Sequence, residues 1–290
     1  MKRTLGIVFA IFLVLLVASP IFASGGTEKK NKTVTVAFMP GIADPFYFTM
    51  ERGIRAKAKE LGVNVIVADY PTSWGPEVQV PILQAMMAKG GIDVLLIAPT
   101  SIDALIAPLK KIYDSGVQII TVDTYLGDGD YSKSSNYSFP LAYIGTDNEL
   151  GGKQVAEHLA KLVGEKGKVF MENTNPDVSS VMGREKGFKA GIAEFPNMTF
   201  VGVDYDMDVQ QKAMDQVSAA LQKSPDIVGV FGSNVFSAQG SFQAVVNKFG
   251  ERGAVDLTGV MGYYSFVSMV LNVDRYPMPE GVKPELKPLP

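Results

Sequence analysis

Residues 94–123 read VLLIAPTSIDALIAPLKKIYDSGVQIITVD. The run 94–98 is unbroken apolar sequence of strand length, and 118–123 (QIITVD) reads as another strand. Between them, residues 104–115 repeat their apolar side chains (Leu105, Leu109, Ile112) at helical spacing. Strand, helix, strand in so short a span is a βαβ unit, with parallel strands and a right-handed crossover. Strands that are apolar at successive positions, instead of alternating, belong to a parallel sheet covered on both faces.

The same rhythm extends upstream. Residues 33–39 and 64–69 read as strands, and 46–61 and 79–90 as helices. Residues 125–141 interrupt it, being rich in Gly, Ser, Asp and Tyr without helical period, and read as an irregular surface loop. Downstream it resumes, with strands at 143–145, 168–172, 199–205 and 227–232. Helices are expected at 150–162, 183–194, 209–222 and 237–249. Two α/β blocks parted near residue 145 imply two Rossmann-like lobes with parallel sheets. Open α/β sheets bind ligands outside the carboxyl ends of their strands. Two facing lobes therefore place two such rims across one cleft.

The residues that follow each strand are the candidates for that cleft. They are Asp44-Pro45-Phe46-Tyr47, residues 70–74 ending in Trp74, Pro99-Thr100-Ser101, Asp123-Thr124-Tyr125, residues 173–175 ending in Asn175, and Ser233-Asn234. Carboxylates and amides stand there beside aromatic rings. That mixture suits a sugar or cyclitol, whose hydroxyls need fixed partners while its C–H faces stack on rings.

At these positions the chain resembles the ribose/galactose/xylose class of periplasmic binding proteins, from about residue 33 to 254. The resemblance rests on Asp44-Pro45-Phe46-Tyr47, Ala98-Pro99-Thr100, Thr121-Val122-Asp123, and Gly145-Thr146-Asp147-Asn148 followed by Gly151-Gly152. It continues in Arg184-Glu185-Lys186-Gly187-Phe188 and Phe231-Gly232-Ser233-Asn234. It implies two lobes joined by three crossing strands, closing on a sugar for delivery to an ABC permease. Residue by residue it points to Asp44, Phe46 and Tyr47 on the first lobe. It also points to Asp123 as the carboxylate that accepts sugar hydroxyls, and to Asn175, Arg184 and Asn234 on the second. The chain departs from ribose binders at Ala98, where Asn is frequent, at Thr124, where Arg follows the carboxylate, and at Met207, where an aromatic is common. Those departures point away from ribose itself.

Each residue also has a plain structural alternative. Asp44-Pro45 fits a helix N-cap with proline at the first helical position, Asp123 could cap a turn, and Arg184 could pair with Glu185 or Glu194 on the surface.

The bulk composition narrows the function classes. The chain has 290 residues with 27 Lys and Arg against 30 Asp and Glu, a net charge of -3 that offers no field for nucleic-acid phosphates. It has no cysteine and one histidine, His158. That removes disulfides, thiolate nucleophiles, and most candidates for zinc sites and Ser-His-Asp triads. No cofactor and no metal are expected, and no enzyme activity; an exported sugar-acting enzyme using Asp44 and Asp123 is the remote alternative. A chemotaxis or autoinducer receptor of the same fold is the nearer one.

Lys2 and Arg3, the apolar run 5–18 and the small residues 19–23 have the pattern of a cleavable signal peptide. The expected organisation is a signal peptide over 1–23, a flexible leader over 24–32, a first lobe from 33–145 plus 261–281, and a second lobe over 146–260. A periplasmic monomer follows. Against the family's layout, residues 255–260 lead directly into Met261-Gly262-Tyr263-Tyr264. On the order of 30 residues of a strand–helix–strand unit are thus expected to be missing, and 282–290 would be a partial last hinge crossing.

Overall fold

The structure, a computed structural model, describes residues 33–256. The expected signal peptide and leader (1–32), the 261–281 return and the 282–290 crossing lie outside the described residues.

The first set of elements comprises β1 (Thr35–Met39), α1 (Pro45–Leu61), β2 (Asn64–Val67), α2 (Pro76–Ala88), β3 (Val94–Ile97), α3 (Ile106–Asp114), β4 (Gln118–Val122) and β5 (Ala142–Ile144). All neighbouring strands are parallel, in the order β2-β1-β3-β4-β5. That is a doubly wound order, whose ligand crevice opens beside β1 and β3 where the winding reverses. Successive side chains alternate across it. Ala37 and Met39 join Leu83, Leu95, Ile97, Leu109 and Ile119 on one face, while Phe38 packs with Tyr47, Ala98 and Val122 on the other. Both faces are buried, which explains the apolar strands. Each fully buried Leu or Ile contributes about 1.5–3 kcal/mol of transfer free energy.

Residues 125–141 contain no regular element, as expected, yet they do not lie idle on the surface. Leu126 is buried, and Tyr131, Tyr137 and Phe139 pack against the first core. The Tyr131 hydroxyl stands 2.8 Å from Thr121 Oγ1 and accepts from the Leu126 N–H. The aromatic residues that made the loop look polar and irregular are what fasten it.

The second set comprises α4 (Asn148–Leu162), β6 (Gly167–Asn173), α5 (Ser179–Ala193), β7 (Met198–Tyr205), α6 (Gln210–Lys223), β8 (Ile227–Gly232) and α7 (Val235–Asp256), the last broken at Gly250 (φ 72, ψ 173). Its parallel sheet runs β7-β6-β8, the same winding with which the first sheet begins. Val169 and Met171 face the α4–α5 side, and Phe170 faces α6 and α7. Helices α4 and α5 meet backbone to backbone. A Cβ on Gly187 would lie 1.8 Å from the Glu149 carbonyl oxygen, and one on Gly152 2.1 Å from that of Arg184. Only glycine permits that approach. The expected truncation beyond residue 255 falls essentially outside the described residues.

Candidate functional site

The carboxyl ends of both sheets open onto one cavity, which holds about 440 Å³ of empty space including its solvent-open mouth. The first sheet supplies Asp44, Phe46 and Tyr47 after β1, Trp74 after β2 and Asp123 after β4. The second supplies Thr174 after β6, Asn234 after β8, and Ser180, Val181 and Arg184 from α5.

Asp44 is both a cap and a wall. Its Oδ1 accepts from the Phe46 N–H at the start of α1, with Pro45 at the first helical position. Capping therefore fixes the carboxylate at the cavity edge. Asp123 sits in the left-handed region, with φ of 62°, a conformation that costs a non-glycine residue about 1–2 kcal/mol. The surroundings hold it there: its N–H donates to Ile144 O at 2.9 Å, and its carbonyl accepts from Tyr143 Oη at 3.0 Å. The side chain is then aimed so that Oδ2 accepts from the Tyr47 hydroxyl at 2.8 Å. Burial and the adjacent Asp123 push the Tyr47 pKa well up, so it remains a donor.

Arg184 is no surface residue. It is 6% exposed, donating through Nε to Asn148 Oδ1 at 3.0 Å and through Nη1 to the Ser233 carbonyl at 2.9 Å. Glu194 pairs instead with Lys153, and Glu185 with Lys189. Burial raises the pKa of Asp123, and the Arg184 charge opposes that rise. Burial likewise raises Asp44, against backbone N–H donors and, more weakly, Arg184. Thr174 Oγ1 is buried with no hydrogen-bond partner among the described residues, although Thr174 lines the cavity. A ligand hydroxyl would satisfy it, which is the usual requirement for a buried polar group.

The aromatic wall is a ladder. Phe46 and Tyr47 pack edge to face at 5.2 Å between ring centroids, and Tyr47 and Trp74 at 6.3 Å. Gly41 makes room for it, since a Cβ there would stand 2.6 Å from the Trp74 ring and 2.7 Å from the Tyr47 hydroxyl. Gly41→Ala should therefore cost about 1–3 kcal/mol through overpacking and displace the indole. Urea denaturation and the fluorescence of the single tryptophan check this. Unchanged stability with unchanged emission would show that the ladder tolerates the methyl group.

With this geometry in place, comparison with known proteins is decisive. Residues 36–272 match the periplasmic binding protein domain family. The chain belongs to that family. Among solved structures, it is similar to an ABC transporter solute binding protein from Agrobacterium vitis bound with α-D-tagatopyranose. The two are 35% identical with a TM-score of 0.73, over 85% of this chain and 91% of that one. The ribose import binding protein of Salmonella typhimurium is 26% identical, over 80% of this chain and 74% of its own length. The D-ribose/D-allose-binding protein of Pseudomonas aeruginosa is 28% identical, over 80% and 72% respectively.

In this periplasmic binding protein, the structure brings seven of the eight sequence candidates to one cavity: Asp44, Phe46, Tyr47, Trp74, Asp123, Arg184 and Asn234. Asn175 is not among the lining residues. Its Oδ1 turns back to accept from the Asp177 N–H at 2.8 Å, a local Asx turn, and Thr174 is the residue of that loop that faces the cavity. Thr174 lies within the 173–175 stretch that the sequence offered, but Asn175 was the residue singled out from it; Ser180 and Val181 were missed. Sequence reasoning also missed Asp208, a buried carboxylate that accepts from Trp74 Nε1 at 3.0 Å and from the Asn234 amide. The Asp-Met-Asp run just after β7 was the available signal.

Proposed function

We propose that this protein is an exported receptor that captures a monosaccharide or polyol in this cavity, as a monomer in the periplasm, and delivers it unchanged to an ABC permease. The observation that carries the reading is the convergence of strand-end residues from both sheets. Fixed acceptors (Asp44, Asp123), fixed donors (Arg184, Asn234) and an aromatic wall (Phe46, Tyr47, Trp74) surround one cavity. The relatives' ligands, ribose, allose and tagatose, are of that class. The departures at Ala98 and Thr124 support a sugar other than ribose. Thr124 brings no positive charge: it is buried and donates to Pro99 O at 2.8 Å. Among the described lining residues Arg184 is the single cation, against the carboxylates of Asp44 and Asp123. Acidic sugars are accordingly disfavoured.

A thermal-shift screen over pentoses, hexoses, inositols, uronic acids and amino acids tests this. A sugar at 100 times its Kd adds about 2.7 kcal/mol, or about 5–10 °C in Tm for a protein of this size. Stabilisation by neutral sugars or polyols, with the sugar recovered intact, is the expected outcome. No shift with any of them, or a shift with amino acids alone, would remove the reading.

A further inference from the structure

We propose that Asp208 is a positioning residue that clamps Trp74, from the first set of elements, to Asn234, from the second, and so sets both walls of the cavity at once. The inference rests on the reading of that cavity as a sugar site.

Asp208 follows β7, and Trp74 follows β2, 134 residues away in sequence. One carboxylate oxygen, Oδ2, accepts from the indole Nε1 at 3.0 Å, and the other, Oδ1, accepts from Asn234 Nδ2. Neither donor makes another hydrogen bond among the described residues. The indole nitrogen is a donor only. The Asn234 Oδ1 is committed to the Ser237 N–H at 3.0 Å, where it caps α7, so the amide must present its NH₂ to Asp208. An ionised carboxylate, an acceptor at both oxygens, is the group that satisfies two such donors.

The backbone that aims it is held on every side. Met207 and Asp208 are both in the left-handed region, with φ of 57° and 66°. Met207 N donates to Thr174 O at 2.8 Å, and Asp208 N to Asp206 Oδ1 at 2.6 Å. Asp206 is in turn tied to α7 through the Ser237 hydroxyl. Two consecutive non-glycine residues in this conformation persist only where the surroundings over-determine them, and such turns concentrate at ligand clamps.

The clamp is sensitive to pH. Burial pushes Asp208 up to about 6, with Asp44 adding to the rise and Asn234 and Trp74 opposing it; Asp206, also near 6, faces it through the turn. Above that pH the carboxylate accepts both donors. As pH falls through it, the protonated oxygen presents a proton to a donor and one of the two contacts is lost.

The single tryptophan makes the clamp directly visible. The experiment compares wild type and Asp208→Asn by tryptophan emission from pH 4.5 to 8, and by calorimetry with D-tagatose, D-ribose and D-allose. The asparagine amide opposes a donor to a donor. It should lower affinity for the bound sugar 10- to 100-fold, shift the emission, and abolish the emission midpoint near pH 6. Asp208→Glu should restore a midpoint. Should Asp208→Asn fail to fold, Trp74→Phe removes the indole N–H together with part of the ring surface at the cavity wall and should lower affinity by at least the same order. Wild-type affinity in either variant, or the same emission midpoint in Asp208→Asn, overturns the proposal. A wild type that binds none of the sugars defeats the sugar reading instead, while the emission titration still decides the clamp.

Discussion

Replacing Asp123 by alanine is expected to weaken sugar binding by about 2–5 kcal/mol, roughly 30- to 5,000-fold, the range for truncating one partner of a buried charged contact. The residue is buried at the cavity wall, accepts from Tyr47 and neighbours Arg184. Its loss leaves the Tyr47 hydroxyl and the sugar hydroxyls without their acceptor, and leaves a buried guanidinium with less compensation. Alanine also has to adopt the φ of 62°, so about 1 kcal/mol of stability should go with it. Asp123→Asn separates the two effects. Asparagine tolerates the left-handed region and can still accept from Tyr47, so it should fold normally yet bind more weakly than wild type. Calorimetry and urea denaturation on all three proteins give the answer. Wild-type affinity in the alanine variant would show that Asp123 is only a structural residue of the β4–β5 corner.

The fold was legible because buried parallel strands leave a plain trace. The run 94–98 has no polar residue to place on a solvated face, and 104–115 has helical spacing. The site was legible where a strand ends. Asp44, Tyr47, Asp123 and Asn234 follow β1, β4 and β8, so the sheet topology alone carries them to the carboxyl rim. Arg184 was different. It lies inside α5, where spacing says nothing of a cleft, and only the resemblance selected it. The physical reason it reaches the cavity is the glycine contact between α4 and α5, which is a three-dimensional fact. Asp208 was missed because successive left-handed residues at 207–208 leave no mark without glycine. Within 173–175, the Asx turn at Asn175 decides which of two adjacent polar residues faces the cavity.

A second large effect is expected from Glu172→Gln, which should reduce the loss of stability between pH 7 and 9. Glu172 follows Phe170 on the face of β6 covered by α6 and α7. It is fully buried, and neither carboxyl oxygen has a partner among the described residues. Burial first, then the neighbouring Asp206 and Asp204, push its pKa up to about 9, with Lys212 opposing. Its folded pKa thus lies far above the ordinary value of 4.5. Between those two values the folded protein holds a proton that the unfolded chain releases. Stability is therefore greatest at low pH and falls as pH rises, by up to about 1.4 kcal/mol per unit, levelling off beyond the folded pKa. Asp206 and Asp208 also have raised pKa values, but near 6, and burial raises Asp44 and Asp123 as well; the share that disappears in Glu172→Gln is the share that Glu172 carries. Glutamine keeps the shape and never ionises. Urea denaturation at pH 6, 7, 8 and 9 should give a falling curve for wild type and a distinctly shallower one for the variant; parallel curves would refute the assignment. The consequence reaches the site. The Glu172 carbonyl accepts from the Ser233 N–H at 2.9 Å, and Ser233 holds Arg184 through its own carbonyl and Asn173 through its hydroxyl. A charge forced onto Glu172 presses on the junction of β6 and β8 from which Asn234 and the Arg184 contact hang. Wild type should then lose sugar affinity toward pH 9 while Glu172→Gln retains more of it, because glutamine places no charge at that junction.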